Sequence, residues 1–307
     1  MEADPDGQLK IRRGLIDHIE ALVQEEVGRN ISHLCTAAAG GLWEMASSIA
    51  AVQAPVIGVI TGFYVPRGTP PAGETDGPIG AALLLRGLRD AGVACRLATD
   101  SPCRDTCAAA LQGAGFGGLA LDVVPVAAPL GPLVAGWRAA GVTHALSIER
   151  CGRSIDGTPR NLRGVDISAH TAPMDDLFTA GPWQTLAIGD GGNEIGMGSL
   201  PRALIGRDIA NGEAIACVTP ARHLVVAGVS NWGAWGLLAA LALLRAEWRG
   251  ALLAALDPAL DAAIMAHAVW QGPAVDGVTA RQDLTVDGLE LARHHAKLAA
   301  IRAVVTG

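Results

Sequence analysis

GAALLLRGLRDAGVACRLATDSPCRDTCAAAL, residues 80–111, reads as helix, strand, helix. Its apolar residues first recur at helical spacing and stop at Gly92. VACRLATD (93–100) is then a short strand ending in Asp100. Ser101 and Pro102 open a second helix through about Leu111, with serine at the cap and proline in the first turn. The alternation continues outward in both directions. VIGVITG (56–62) precedes it as a β-branched strand ending in glycine. LDVVPV (121–126), a helix over Leu130–Ala140, and the strands THALSIE (143–149), QTLAIGD (184–190) and HLVVAGVS (223–230) follow. The last strand feeds an Ala/Leu-rich helix from about Trp235 to Trp248. Strands separated by helices of this length imply right-handed β-α-β crossovers, hence an α/β fold with a mostly parallel sheet flanked by helices.

The flanks read differently. Leu15, Ile19, Leu22 and Val23 recur at helical spacing with Glu20, Glu25 and Glu26 among them, and Gly40-Gly41 breaks that region. The expected organisation is a single catalytic domain over 1–307: a helical N-terminal region (1–50), an α/β core (51–250) and a helical C-terminal region (251–307).

Half of the 307 residues are apolar and 17% are charged, enough for a substantial core. The net charge of -7 argues against a general nucleic-acid surface. Six cysteines without a Cys-x-x-Cys pair read as free thiols, not as a disulfide frame or zinc site. MEADPDGQLK at the start has no apolar leader, so a cytoplasmic location is expected. Leu224–Leu244 is long enough for a membrane span, but Ser230, Asn231 and glycines interrupt it. It reads as buried strand plus helix, and no membrane partner is expected.

Ligands of parallel sheets bind beyond the carboxyl ends of the strands, so the loops there carry the chemistry. GAGFGG (113–118) matches a dinucleotide fingerprint in letters only, because it follows a helix and precedes a strand. With no phosphate loop elsewhere, neither NAD nor ATP is expected. The loop TGFYVPRGTPPAGETDGPIGA (61–81) offers Thr61, Glu74 and Asp76, with a helix cap at Thr75 or Asp76 as the plainer alternative. SIERCGRSIDGTPRNLRGVDISAH (147–170) offers Glu149, Arg150, Arg153, Arg163 and Asp166. Arginines suit a substrate carboxylate, while salt bridges that merely order the loop are the alternative. AIGDGGNEIGMGSL (187–200) offers Asp190, Asn193 and Glu194. Glu149, Asp190 and Glu194 are oxygen ligands that suit Mg²⁺ or Mn²⁺ if their strand ends adjoin. Ser230 and Asn231 follow the sixth strand, where Asn231 could equally cap a helix. His170 is the histidine nearest these motifs.

These loops resemble the D-glutamate cyclase family, whose catalytic domain in animals is the C-terminal part of a larger mitochondrial protein. The resemblance rests on TGF (61–63), ETDGPIGA (74–81), SIERCGR (147–153), NLRGVDIS (161–168), IGDGGNEIGMG (188–198), VAGVSNWG (226–233), and DGVT (276–279) with TVDGL (285–289). It spans nearly the whole chain. It implies a Rossmann-like fold and a hydro-lyase converting D-glutamate to 5-oxo-D-proline and water. Thr158-Pro159-Arg160 stands where the family pattern has tyrosine before Asn-x-Arg-Gly, so substrate preference can differ.

Under that expectation Glu149, Asp190 and Glu194 are catalytic and hold any cation. Arg150, Arg153 and Arg163 clamp the α-carboxylate of a small acidic amino acid. Glu74 and Asp76 orient its ammonium or complete the metal shell, and Thr61, Asp166, Asn193, Ser230 and Asn231 line the substrate. Two alternatives stand beside this: a metal-assisted lactam or nucleotide-related hydrolase on the same scaffold, and a non-catalytic binder of a small acidic metabolite. Homo-oligomerisation stays an open alternative among partners.

Overall fold

The computed structural model describes residues 5–116 and 121–307. Gly117 and Gly118 of the GAGFGG stretch lie outside the described residues; Gly113 ends a helix, as its context requires.

Six strands form one parallel sheet: β1 (Val56–Thr61), β2 (Ala94–Asp100), β3 (Leu121–Val124), β4 (His144–Ile148), β5 (Gln184–Gly189) and β6 (His223–Val226). Their spatial order is β3-β2-β1-β4-β5-β6. That is the doubly wound order, with its topological switch between β1 and β4. The expected α/β, Rossmann-like architecture is what the chain adopts.

Both sheet faces are covered because successive side chains alternate between them. Ile57, Val59, Leu146, Ile148, Leu186, Ile188 and Val225 join one apolar cluster. Ile60, Ala145, Ala187, Leu224 and Val226 join the other. The first cluster lies under the helices α1 (Pro5–Val23), α2 (Gly41–Ala50), α3 (Pro78–Asp90) and α4 (Arg104–Gly113). It is completed by α6 (Ser230–Leu244), α7 (Arg249–Ala255), α8 (Pro258–Trp270) and α9 (Leu291–Thr306). Trp137 from α5 (Gly131–Ala139) anchors the second cluster.

Three local readings change. The 3-10 turn after β2 is capped by Asp100, whose carboxylate accepts from Cys103 N at 3.3 Å, so Ser101 is inside the turn instead of at its cap. The helix after β6 begins at Ser230, not near Trp235, because a partner outside the helix satisfies its first amides, as shown below. Two short hairpins form: Tyr64–Val65 with Ala72–Gly73 lies within the 61–81 loop, and Thr285–Val286 with Leu289–Glu290 interrupts the C-terminal region that read as helical. All six cysteines are free. Leu224–Leu244 resolves into the end of β6 and α6, and no single helix among the described residues is long and apolar enough to cross a membrane. Arg249–Ala255 and Pro258–Trp270 satisfy that test only when joined across a 54° bend.

Candidate active site

The switch point is built by two helices that cap each other. The first amides of a helix have no partner within it. Those of α6 are satisfied from the β1–α3 loop: Asp76 accepts from Ser230 N at 2.9 Å and Asn231 N at 2.8 Å. Those of α3 are satisfied from α6: Asn231 Oδ1 accepts from Gly77 N at 2.9 Å and Gly80 N at 2.7 Å. The two positive helix ends therefore meet beside β1 and β4 and favour negative charge there. Asn231 is a cap, as its plainer reading had it, but of the neighbouring helix. Gly77, at φ +89, permits this approach: a Cβ would come within 2.7 Å of Thr61 Oγ1 and 2.8 Å of Glu149 Cβ.

Carboxylates then converge from four loops. Glu149 follows β4 with a left-handed backbone (φ 44) and accepts from Ser230 Oγ at 2.6 Å. A non-glycine residue rarely adopts this conformation, and here it turns the side chain into the switch point. Oxygens of Asp76, Glu149 and Asp190 lie within 4.8 Å of one another. Glu194 Oε1 accepts from Asp190 N at 3.0 Å and Gly191 N at 2.6 Å, bracing the turn after β5. The converging triad is therefore Asp76, Glu149 and Asp190, with Asp76, the alternative member of the metal shell, present and Glu194 outside it.

Arg29 enters this acidic floor and pairs with both Asp190 and Asp287. Burial works against its charge, but Asp287, Glu149, Asp76 and Glu194 outweigh that and hold its pKa above the ordinary arginine value. Asp190 Oδ2, Glu194 Oε2 and Asp287 Oδ2 are buried without a hydrogen-bond partner.

One guanidinium cannot neutralise this many acids in a low dielectric. Burial, reinforced by Asp287, raises Asp76 to about 7. Burial together with Glu194, Asp76 and Glu74 pushes Glu149 well above the carboxylate range, and burial with Asp287 and Asp76 does the same to Glu74. Glu194 and Asp287 are raised too, chiefly by burial.

Over this floor opens a cleft of about 270 Å³. Arg29, Glu74, Glu149 and Asp287 are its acidic and basic lining, Asn193 and Arg163 reach it from the two glycine-rich loops, and Phe63, Tyr64, Val65, Leu162 and Val278 form apolar walls. Gly277 lies against Glu74, where a side chain would push on the Glu74 carboxylate.

The expected arginine clamp does not assemble as one unit. Arg150 is 1% exposed and its two terminal nitrogens donate to Asp100 (2.5 Å), Gly62 O (2.8 Å) and Ala172 O (2.8 Å), fastening three loops together. Arg153 pairs with Asp175 and Asp176 and lines a separate cleft beside Cys151 and Thr171. Of the three, only Arg163 lines the main cleft. Asp166 is exposed and accepts from Ser168 N at 2.8 Å, shaping its own turn instead of lining the cleft. Thr61 is fully buried at the end of β1. His170 stacks on the Tyr64 ring at 4.7 Å behind the cleft wall.

Arg29, Asp287 and Arg67, a further basic residue of the cleft lining, were not singled out from sequence. Asp287 lies inside TVDGL, and Arg29 is flanked by Gly28 and Asn30, both left-handed in the structure. A charged residue between two such turn formers is the signal that could have pointed to it.

The oxygen set of Asp76, Glu149 and Asp190, with a bare buried oxygen on Asp190, fits a hard divalent cation such as Mg²⁺ or Mn²⁺. The profile of the D-glutamate cyclase-like, C-terminal family matches residues 19–302. Human mitochondrial D-glutamate cyclase is 29% identical over an alignment covering 82% of this chain. The chain spans 46% of that relative's length. With a profile match across most of its residues, this chain belongs to the D-glutamate cyclase-like, C-terminal family.

Proposed function

We propose that the protein is a hydro-lyase that cyclises D-glutamate to 5-oxo-D-proline and water. The observation that carries this reading is the buried assembly of acids, raised in pKa, under a small cleft with guanidinium groups at its wall. The reaction turns an ammonium and a carboxylate into an amide and water. Two protons leave nitrogen, and both end on the departing oxygen. The chemistry therefore needs groups that take a proton at one point and give one at another, without net consumption. Neighbouring carboxyl groups that cannot all ionise at once suit that task, because some are proton-loaded while others are free.

Glu149 is placed to take the proton from nitrogen, since a carboxylate with a raised pKa is a stronger base than an ordinary one. Glu74, raised by burial and its acidic neighbours, is the proton donor to the leaving oxygen. Arg163 at the cleft wall holds the α-carboxylate. The limited cleft folds the substrate so that nitrogen faces the distal carbon, a proximity effect worth in principle several kcal/mol. If Mg²⁺ or Mn²⁺ is held by Asp76 and Asp190, with Glu149 left free as the base, it would polarise the distal carboxylate and stabilise its developing negative charge.

Chiral chromatography of products from D- and L-glutamate, with and without Mg²⁺ or Mn²⁺, tests the reading. Formation of 5-oxo-D-proline supports it. Absence of product under all four conditions overturns it. Activity should fall after exhaustive chelation and return with the ion; undiminished activity would remove the cation from the scheme.

A further inference from the structure

Arg29 is delivered by a loop that is fastened for the purpose. The Glu26 carboxylate accepts from four successive backbone amides: Gly28 (2.8 Å), Arg29 (2.6 Å), Asn30 (3.0 Å) and Ile31 (2.7 Å). Asn30 Nδ2 donates to Asp208 O at 2.9 Å and ties the loop to the end of the helix Arg202–Asp208. From this clasp the Arg29 side chain, 15% exposed, reaches Asp190 and Asp287. It therefore sits on one of the three carboxylates whose oxygens converge as a cation site. The second oxygens of Asp190 and Asp287 are buried and unpartnered, so the floor has acceptor capacity that the guanidinium does not use.

A guanidinium and a divalent ion cannot both sit against Asp190 without strong repulsion at such short range. An arginine side chain, by contrast, has many rotamers and can swing outward at modest cost. Arg29 also lines the open cleft, so it has somewhere to go.

We propose that Arg29 is a resident, exchangeable counter-cation: it holds the acidic floor together in the ion-free protein and leaves Asp190 when a divalent cation binds. The loop of residues 26–31 is then the element that reports the exchange. This claim concerns the protein without substrate, so it stands or falls separately from the assignment of the reaction.

The test is Mn²⁺ binding by electron paramagnetic resonance on the full chain, comparing wild type with Arg29→Gln, Arg29→Ala and Glu26→Ala. Removing the competing charge should tighten Mn²⁺ binding at least about tenfold in both Arg29 variants. Glu26→Ala, which keeps every charge of the floor but unfastens the loop, should tighten it by a smaller factor. Hydrogen exchange gives an independent reading. In wild type loaded with Mn²⁺, the amides of residues 28–31 should exchange faster, because the loop has lost its side-chain tether to Asp190 and Asp287 and only the Glu26 clasp and the Asn30 bond still hold it. Equal or weaker Mn²⁺ affinity in both Arg29 variants would overturn the proposal. So would unchanged exchange at those amides in a sample that resonance shows to be loaded.

Discussion

Arg150 and Arg163 carry the same group on one loop and are placed in opposite circumstances. Arg150 is enclosed with Asp100, so deleting it leaves a buried carboxylate unpaired. Arg150→Ala should cost about 3–5 kcal/mol of folding stability, read by chemical denaturation. Arg163 is exposed at the cleft wall, and Arg163→Ala should change stability by less than about 0.5 kcal/mol while raising KM for the substrate. Equal losses of stability in the two variants would contradict this division. In sequence the two are indistinguishable: each is an arginine beside glycine-rich turns, and only the three-dimensional path of Asp100 and Ala172 shows which one is consumed. Acids were easier to read than arginines. Glu149 and Asp190 come directly after strands, and strand ends of a parallel sheet converge by topology alone. Asp287 comes from a two-stranded hairpin outside the sheet, which no strand-end rule reaches.

At the scale of elements, the fold's most consequential device is the reciprocal capping of α3 and α6. Asn231→Ala removes the acceptor of two buried amides and should cost about 1–3 kcal/mol, more than an exposed cap. It should also lower kcat, because the same amides set the position of Gly77 between Thr61 and Glu149. Loss of stability with fully retained turnover would show that the capping pair is scaffold only. The parallel sheet and its crossovers were legible because periodicity and strand punctuation are local. The cross-capping was not. Asp76 and Asn231 each look like the cap of their own helix, and the exchange of partners depends on two helix starts lying side by side at the switch point. The early start of α6 has the same origin, since its first turn is stabilised by a residue from another loop.

For the whole molecule, buried acids set a cost that depends on pH. Asp76 has a folded pKa of about 7 against an ordinary 3.8, and Glu149 is likewise raised by burial. A carboxyl with a raised folded pKa contributes stability that is present below its unfolded pKa and is lost as pH rises through the folded one. Glu149→Gln should therefore melt close to wild type near pH 4.5, the ordinary glutamate value, and increasingly above it toward pH 8. The gain is expected to be a few degrees, since about 1 kcal/mol moves the midpoint of a large domain by about 2–4 °C. A wild type that melts higher than the variant at pH 8 would contradict the charge-crowding account. The same substitution should lower turnover by about 10²–10⁴-fold, the usual contribution of a proton-transfer group. Stability and activity are thus expected to move in opposite directions at one residue. The most direct test that nitrogen attacks the side-chain carboxylate and expels one of its oxygens is mass spectrometry of product from D-glutamate carrying ¹⁸O in both side-chain carboxylate oxygens. At initial rate, the account predicts 5-oxo-D-proline that keeps one labelled oxygen, with the other released as labelled water. Product retaining neither label, or labelled D-glutamate recovered unchanged, would contradict it.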